Sequence, residues 1–315
     1  MPASRVAPRR LSTQAYLLCL VAALVLPLLA FAGFLLTRYA ATEQARFERD
    51  ALQNARQVAL VIDGELAGLV ALLKGLASSS ALERGDLAAF HAEAKRLVGE
   101  RNEVVVLREF GPRQLLNTQR PFGAELPPAV ALSPAEQAAF AAGRPLVSDV
   151  YRSPLSGEPR IAVALPILRS EAPPYVLALT VPTTRIRDAL MPAVPPGWII
   201  GIGDREGIIV TRSARHDEIS GKPGVPEYLA QAVGRSGTFF STNFEGTALL
   251  AGYYRSDFSG WLYAANVPQA VVEAPLRRSL LLFAAVGTAA LGLSALLAYL
   301  FGTSFAARDD GACRA

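Results

Sequence analysis

The chain has 315 residues, a formal net charge of +4 and 51% hydrophobic residues. Its mean hydropathy of +0.29 is high for a soluble protein, and its basic pI of about 9.2 comes from arginines spread along the chain. No Lys/Arg-rich block occurs, so the positive balance does not point to a surface that tracks nucleic-acid phosphates.

In chain order, the first feature is an apolar run, Ala15 to Thr37, without a charged residue or histidine; a second such run is Ser279 to Ala307. Each supplies the roughly 20 apolar residues that cross a bilayer core. A charge at mid-membrane costs roughly 2.5–3.5 kcal/mol on insertion scales, so its absence from both runs is expected of true spans. Transmembrane helices are placed at 15–37 and 279–301. Ala30-Phe31-Ala32 is similar to a signal-peptide cleavage site, with Arg9 and Arg10 as the basic region before it. Gly33-Phe34-Leu35-Leu36 continues the apolar run past that site, which favours a retained anchor. Arg5, Arg9 and Arg10 put residues 1–14 in the cytoplasm; Arg277 and Arg278, before the second span, weigh against this weakly. Residues 38–278 are then periplasmic or outside, and 302–315 form a short cytoplasmic tail. Cys19 falls in the membrane and Cys313 in the tail, so the outer region must hold together by packing, without disulfides.

From Arg38 to Ala77 the pattern is helical. Phe47, Ala51, Val58, Ile62, Leu66, Leu69, Leu73 and Leu76 recur mostly at threes and fours, with charged residues between them. The spacing predicts a stalk of about 57 Å at 1.5 Å per residue. Part of its stripe would pack on the downstream α+β region, and part is able to pair with a second copy, so a homodimer is expected. Ser78-Ser79-Ser80 and Gly85 break the helix, and Asp86 reads as the N-cap of Leu87 to Val98. The stalk and these helices take residues 38–100.

Two β-hairpins come next, far apart in the chain. The first is Val104–Leu107 and Gln114–Thr118 around a turn at Arg108–Arg113. The second runs from Gly197 to Ser213. In its turn, the Asp204 carboxylate is expected to accept backbone N–H groups, and Gly207 to take the left-handed conformation. The segments after the hairpins also correspond. A helical patch comes first in each. Then come hairpin strands, Ile161–Leu168 with Tyr175–Leu179 and Gly237–Tyr254 with Trp261–Ala265. The exits are Val181-Pro182 and Val267-Pro268. This reads as one small α+β unit present twice, at 101–191 and 192–271. Within the first copy, Pro121 to Pro134 is a proline-rich connector; Ser133 would cap a helix with Pro134 at its first position and Glu136 in its first turn. Pro192 to Pro196 links the copies, and Glu227 to Val233 is expected as a short helix.

The catalytic inventory is poor. His91 and His216 are the only histidines. No His-Glu-x-x-His, Cys-x-x-Cys, Walker-type loop or Gly-x-Ser-x-Gly elbow occurs. No catalytic residue, metal site or cofactor is assigned; His216-Asp217-Glu218 reads as a solvated loop.

The order of span, long helix, two PAS-like units and second span resembles the double Cache sensor of bacterial transmembrane receptors. Val150 to Ile167 resembles its membrane-distal hairpin, and Trp198 to Ser213 the first strands of its membrane-proximal unit. Asn117 to Pro127 is similar to sensor regions attached to some alphaproteobacterial histidine kinases. The resemblance implies an α+β fold, two tandem antiparallel-sheet units on the long N-terminal helix. It further implies a small ligand held in the distal unit, and a conformational change passed through the second transmembrane helix.

By that resemblance the ligand-binding residues would be Arg120, Asp149, Tyr151, Arg152 and Arg160. An arginine and a tyrosine hydroxyl suit a carboxylate or another small anion, and an aspartate suits an ammonium group. Amino-acid-binding members carry an arginine followed closely by a tryptophan; here Arg120 is followed by Pro121 and Phe122. Arg152 and Arg160 are the two for which a plain solvated position is the strongest alternative. A receptor of this type would continue past Phe301 into a signalling helix and output domain. Residues 308–315 show no periodicity, so a receptor product without its output domain is expected. Two other classes stay open: a membrane protein that dimerises with and damps a full-length receptor, and a membrane-anchored extracytoplasmic enzyme, against which the histidine-poor outer region argues.

Overall fold

The computed structural model describes residues 13–99, 102–129, 134–168 and 174–312. The basic N-terminal residues Arg5, Arg9 and Arg10, the expected cap Ser133 and the tail cysteine Cys313 lie outside them. The chain divides into two compact units, residues 47–269 and a helical remainder on either side.

Helix α1 (Thr13–Ala77) runs without interruption to the predicted stop. Beyond residue 46, Ala51, Val58, Ile62, Leu66, Leu69, Leu73 and Leu76 are all buried, 5% exposed or less, so the stripe read from the spacing is the core-facing face, and these residues are spent on the chain's own core rather than on the pairing with a second copy expected of part of the stripe. Phe47, which heads that stripe, is only half-buried. Helix α2 (Ser80–Glu83) is a single turn capped by Ser79. Helix α3 (Leu87–Val98) starts as expected, with Asp86 Oδ1 accepting the Ala89 N–H at 3.0 Å.

Strands β1 (Val104–Glu109) and β2 (Gln114–Asn117) form the first hairpin. Helix α4 (Pro134–Ala141) comes next, then β3 (Leu146–Val147), β4 (Tyr151–Arg152), β5 (Pro159–Ile167) and β6 (Tyr175–Pro182). All pairings are antiparallel, in the order β2-β1-β6-β5-β3, with β4 also on β5. Helix α5 (Thr183–Leu190) and a short 3-10 turn lead to β7 (Ile199–Gly203) and β8 (Ile209–Arg212). Then come α6 (His216–Ile219), α7 (Pro226–Gln231), β9 (Ser236–Thr242), β10 (Ala248–Arg255) and β11 (Leu262–Pro268). The second sheet is ordered β8-β7-β11-β10-β9.

The two orders are the same, with β1, β2, β5 and β6 standing where β7, β8, β10 and β11 stand. The expected duplication is therefore present. One assignment changes: Gly237 to Tyr254 is itself a hairpin, β9 with β10, and the counterpart of β5–β6 is β10–β11. The copies share even a register irregularity, between Leu107 and Arg108 in one hairpin and Ile202 and Gly203 in the other.

The alternation of side chains along a strand puts Val105, Leu107, Ile161, Val163, Leu177 and Leu179 on one face of the first sheet, and Ile200, Ile202, Tyr263 and Ala265 on one face of the second. Both faces join the α1 stripe in a single core. Polar ties fix the same helix. Asp63 accepts hydroxyl bonds from Ser256 at 2.6 Å and Tyr263 at 3.0 Å. Arg185 of α5 bridges Glu65 of α1 and Glu103.

Helix α8 (Gln269–Ala312) makes up the remainder with the early part of α1. Among the described residues one helical stretch, Gln269–Ser294, is long and apolar enough to cross a membrane. It overlaps the second expected span. Residues 15–37, the first expected span, are helical as part of α1; a second membrane-crossing helix is not established by the structure.

Candidate ligand-binding site

The face of the first sheet turned away from α1 carries small side chains. Ala162 and Ala164 on β5 and Ala178 on β6 leave space that larger residues would fill, and a cavity of about 280 Å³ lies over them. Val106 and Arg108 on β1 and Thr180 on β6 extend its floor. Phe140 of α4 and the segment from Leu146 to Leu155 cover it.

The same face of the second sheet has a pocket of only about 80 Å³. There α7 sits over the strands: the Tyr228 hydroxyl donates to Asn266 Oδ1 at 2.7 Å, and its ring meets Phe239 edge-on at 4.8 Å. Burial drives the Tyr228 phenol well above its usual pKa. The duplicated registers allow a position-by-position comparison. Val106 pairs with Ala178 and Asn117 in the first sheet, as Gly201 pairs with Ala264 and Arg212 in the second. By the same alignment Thr180 stands where Asn266 stands, Arg108 where Gly203 stands, and Arg160 where Leu249 stands. The open copy thus carries guanidiniums on its floor at two registers where the closed copy has glycine and leucine.

The five residues named from the sequence do not all meet there. Asp149, Tyr151 and Arg160 line the cavity; Arg120 and Arg152 do not. Arg160 is 1% exposed, not solvated. Its Nε donates to Thr180 Oγ1 at 3.3 Å, Nη1 to Asn102 Oδ1 at 3.3 Å, and Nη2 to the carbonyls of Asn102 and Thr180. Burial lowers its pKa, and the neighbouring Tyr151, Glu158 and Glu103 oppose that shift. The guanidinium stays charged at neutral pH, a fixed positive charge in the wall. Tyr151 has its pKa raised by burial, against the bond to Thr180 and the charge of Arg160. Its phenol is therefore a neutral donor.

Asp149 faces the cavity with its carboxylate engaged by Arg205, whose Nε lies 2.9 Å from Oδ1. Arg120 is exposed; its carbonyl oxygen, not its guanidinium, makes the structural contact, 3.0 Å from His91 Nε2. Arg152 is exposed too and donates to the Gly157 carbonyl at 3.1 Å.

The polar neighbours of Arg108 suggest a turn, and the structure corrects this. β1 continues to Glu109, and Arg108 is 7% exposed on the cavity side. The signal was present: Val104, Val106 and Arg108 fall on one face by strict alternation, opposite Val105 and Leu107. A concavity of about 390 Å³ also lies along the proline-rich connector. Its one guanidinium, Arg113, is largely exposed and paired with Glu109 at 3.2 Å, and the Gln114 amide beside it is spent on the Pro127 carbonyl at 2.8 Å. Among the described residues no cluster of three or more metal-binding side chains occurs.

No protein-family model matches the sequence, and no curated protein matches it. Solved structures do match the fold. The ligand-binding domain of the Pseudomonas fluorescens chemoreceptor CtaA, in complex with L-isoleucine, is 14% identical, with 74% of this chain and 95% of that one covered at a TM-score of 0.53. The ligand-binding domain of the Pseudomonas aeruginosa PAO1 amino-acid chemoreceptor PctB, in complex with L-Arg, is 16% identical over 76% and 96%, at 0.52. The extracellular domain soHK1S-Z6, of a protein described as a histidine kinase, is 13% identical over 75% and 98%, at 0.53. The fold is that of the extracellular double Cache sensor domains of receptors.

Proposed function

We propose that the chain is the sensing part of a transmembrane receptor. A small ligand enters the distal cavity from outside the cytoplasmic membrane, and the change it causes reaches the membrane through α8. The chain acts as a homodimer anchored by spans at 15–37 and 279–301. One observation carries this reading: of two copies of the same unit, one keeps its sheet face open and lined with guanidiniums while the other is filled by its own helix. A packed core gains stability from filling such a space, so a cavity of about 280 Å³ in one copy against about 80 Å³ in the other points to a ligand. The bound amino acids in CtaA and PctB are consistent with small-molecule sensing on this fold. To signal, the ligand must bind one conformational state better than the other.

The test is thermal unfolding of the full chain in detergent against small carboxylates, amines and amino acids. At least one class should raise the midpoint, and Ala178→Phe, which fills the cavity, should abolish that rise. A rise that survives Ala178→Phe, or no rise with any class, sinks the reading.

A further inference from the structure

Among the described residues lining the distal cavity, three carry charge: Arg108, Arg160 and Asp149. The lone carboxylate is not presented alone. Arg205, in the β7–β8 turn of the proximal unit, reaches it from outside the cavity. Its backbone N–H lies 3.1 Å from Asp149 Oδ1, and its Nε lies 2.9 Å from Oδ1 and 3.2 Å from Oδ2. Its Nη2 donates to the Val147 carbonyl at 2.9 Å. The preceding residue adds a further tie, Asp204 Oδ2 accepting the Val150 N–H at 2.9 Å. The aliphatic part of Arg205 is held as well: a Cβ placed on Gly260 would come within 3.0 Å of its Cδ. By contrast, Arg160 meets only neutral acceptors at bonding distance; its nearest carboxylate, Glu158, lies 3.8 Å away and is half exposed.

We infer that Arg205 is a specificity-determining positioning residue. By neutralising Asp149 from behind, it makes the distal cavity select a carboxylate, or a comparable small anion, that lacks an ammonium group. This rests on the sensor reading of the cavity. A ligand ammonium leaving water needs a carboxylate partner, and among the described lining residues the one carboxylate, Asp149, already has a guanidinium. An anion meets the Arg160 guanidinium, whose bonds within the wall go to neutral acceptors and which suits a carboxylate. Without Arg205, Asp149 would turn its charge to the cavity and the site would suit a zwitterion.

The experiment is calorimetric titration of the full chain in detergent with pairs that differ only in an α-amino group: propanoate and alanine, 4-methylpentanoate and leucine, succinate and aspartate. The wild-type chain should bind the carboxylate of a pair at least tenfold more tightly than the amino acid. Arg205→Gln should move that ratio at least tenfold toward the amino acid, Arg205→Lys should keep the wild-type ratio, and Asp149→Asn added to Arg205→Gln should cancel the gain. A wild-type preference for the amino acid overturns the inference, as does an unchanged ratio in a folded Arg205→Gln chain. If Arg205→Gln does not fold, Asp149→Asn alone decides: it should tighten carboxylate binding itself, and weaker amino-acid binding with carboxylate binding unchanged overturns the inference. No heat from either member with any chain overturns the sensor reading as well; binding with an unmoved ratio overturns this inference alone.

Discussion

Asp204 shows how one carboxylate can serve two levels of structure. Its Oδ1 accepts the N–H groups of Glu206 and Ile208 at 3.0 and 2.8 Å, and Gly207 stands at φ +79°. These are local bonds across four residues, and they arise from Asp-x-x-Gly in a turn. Its Oδ2 instead accepts from Val150, and the side chain is 2% exposed. Burial raises its pKa against the three backbone bonds that favour the charged form. Glu245 is the opposite case. Arg212 donates to both its oxygens, at 2.7 and 3.2 Å, and Arg215 donates at 3.0 Å. These bonds, Arg212's first, hold its pKa at about 2, below the ordinary carboxylate value of about 4.3. A depressed folded-state pKa stabilises the fold above the unfolded value, and the contribution is lost as pH falls toward about 2. The group is partly exposed, so after solvent screening it is worth about 1 kcal/mol or less. Glu245→Gln should lower the thermal midpoint by about 2–3 °C at pH 7, and the gap to wild type should close progressively below pH 4. A gap that is constant from pH 7 to pH 2.5 would rule out the ion pair as its source.

At the scale of elements, the central relation is α1 against the two sheets. Helix spacing alone selects its buried stripe, but the closeness of approach depends on β10. Gly252 is the contact point: a Cβ there would lie 2.4 Å from the Ala51 carbonyl carbon and 2.6 Å from the Leu52 nitrogen. Backbone cannot rotate out of the way as a side chain can. Gly252→Ala should therefore push α1 off the sheet and cost about 1–3 kcal/mol, the usual range for overpacking. The urea midpoint should fall with little change in slope; an unchanged midpoint would mean that the helix does not pack this closely. The polar ties from Asp63 to Ser256 and Tyr263 join residues distant in the chain. No local pattern marks Asp63 as different from the solvated acids of the same helix.

For the whole molecule, the organising fact is one strand order used twice. Both copies keep the strand order and a bulge, and they differ in what covers the sheet. α7 closes one face, while α4 and the segment from Leu146 leave the other open. The proposed topology places this entire region outside the cytoplasm. Protease added to spheroplasts should cut within residues 38–278 and spare the terminal segments until the membrane is permeabilised. A middle region that resists digestion there, in chains that are cut once detergent is added, would place it on the cytoplasmic side.

The sequence by itself determined the features that depend on near neighbours and on periodicity. The α1 stripe, the Asp86 cap, the Asp204–Gly207 turn and the apolar runs all rest on side chains within one or two turns or strand steps of each other, and the faint repetition on such local patterns recurring in the same order. Arg108 was legible in the same way, through alternation, and was obscured only by the polar residues after it. Tertiary structure alone decided which of these side chains line the candidate cavity. It placed Arg160 inside the wall with Asn102 and Thr180, left Arg120 and Arg152 outside, and brought Arg205 to Asp149 across two units. A guanidinium reads the same in sequence whether water or carbonyl groups surround it. Its role is set by desolvation and by partners tens of residues away, and those exist only once the sheets have packed.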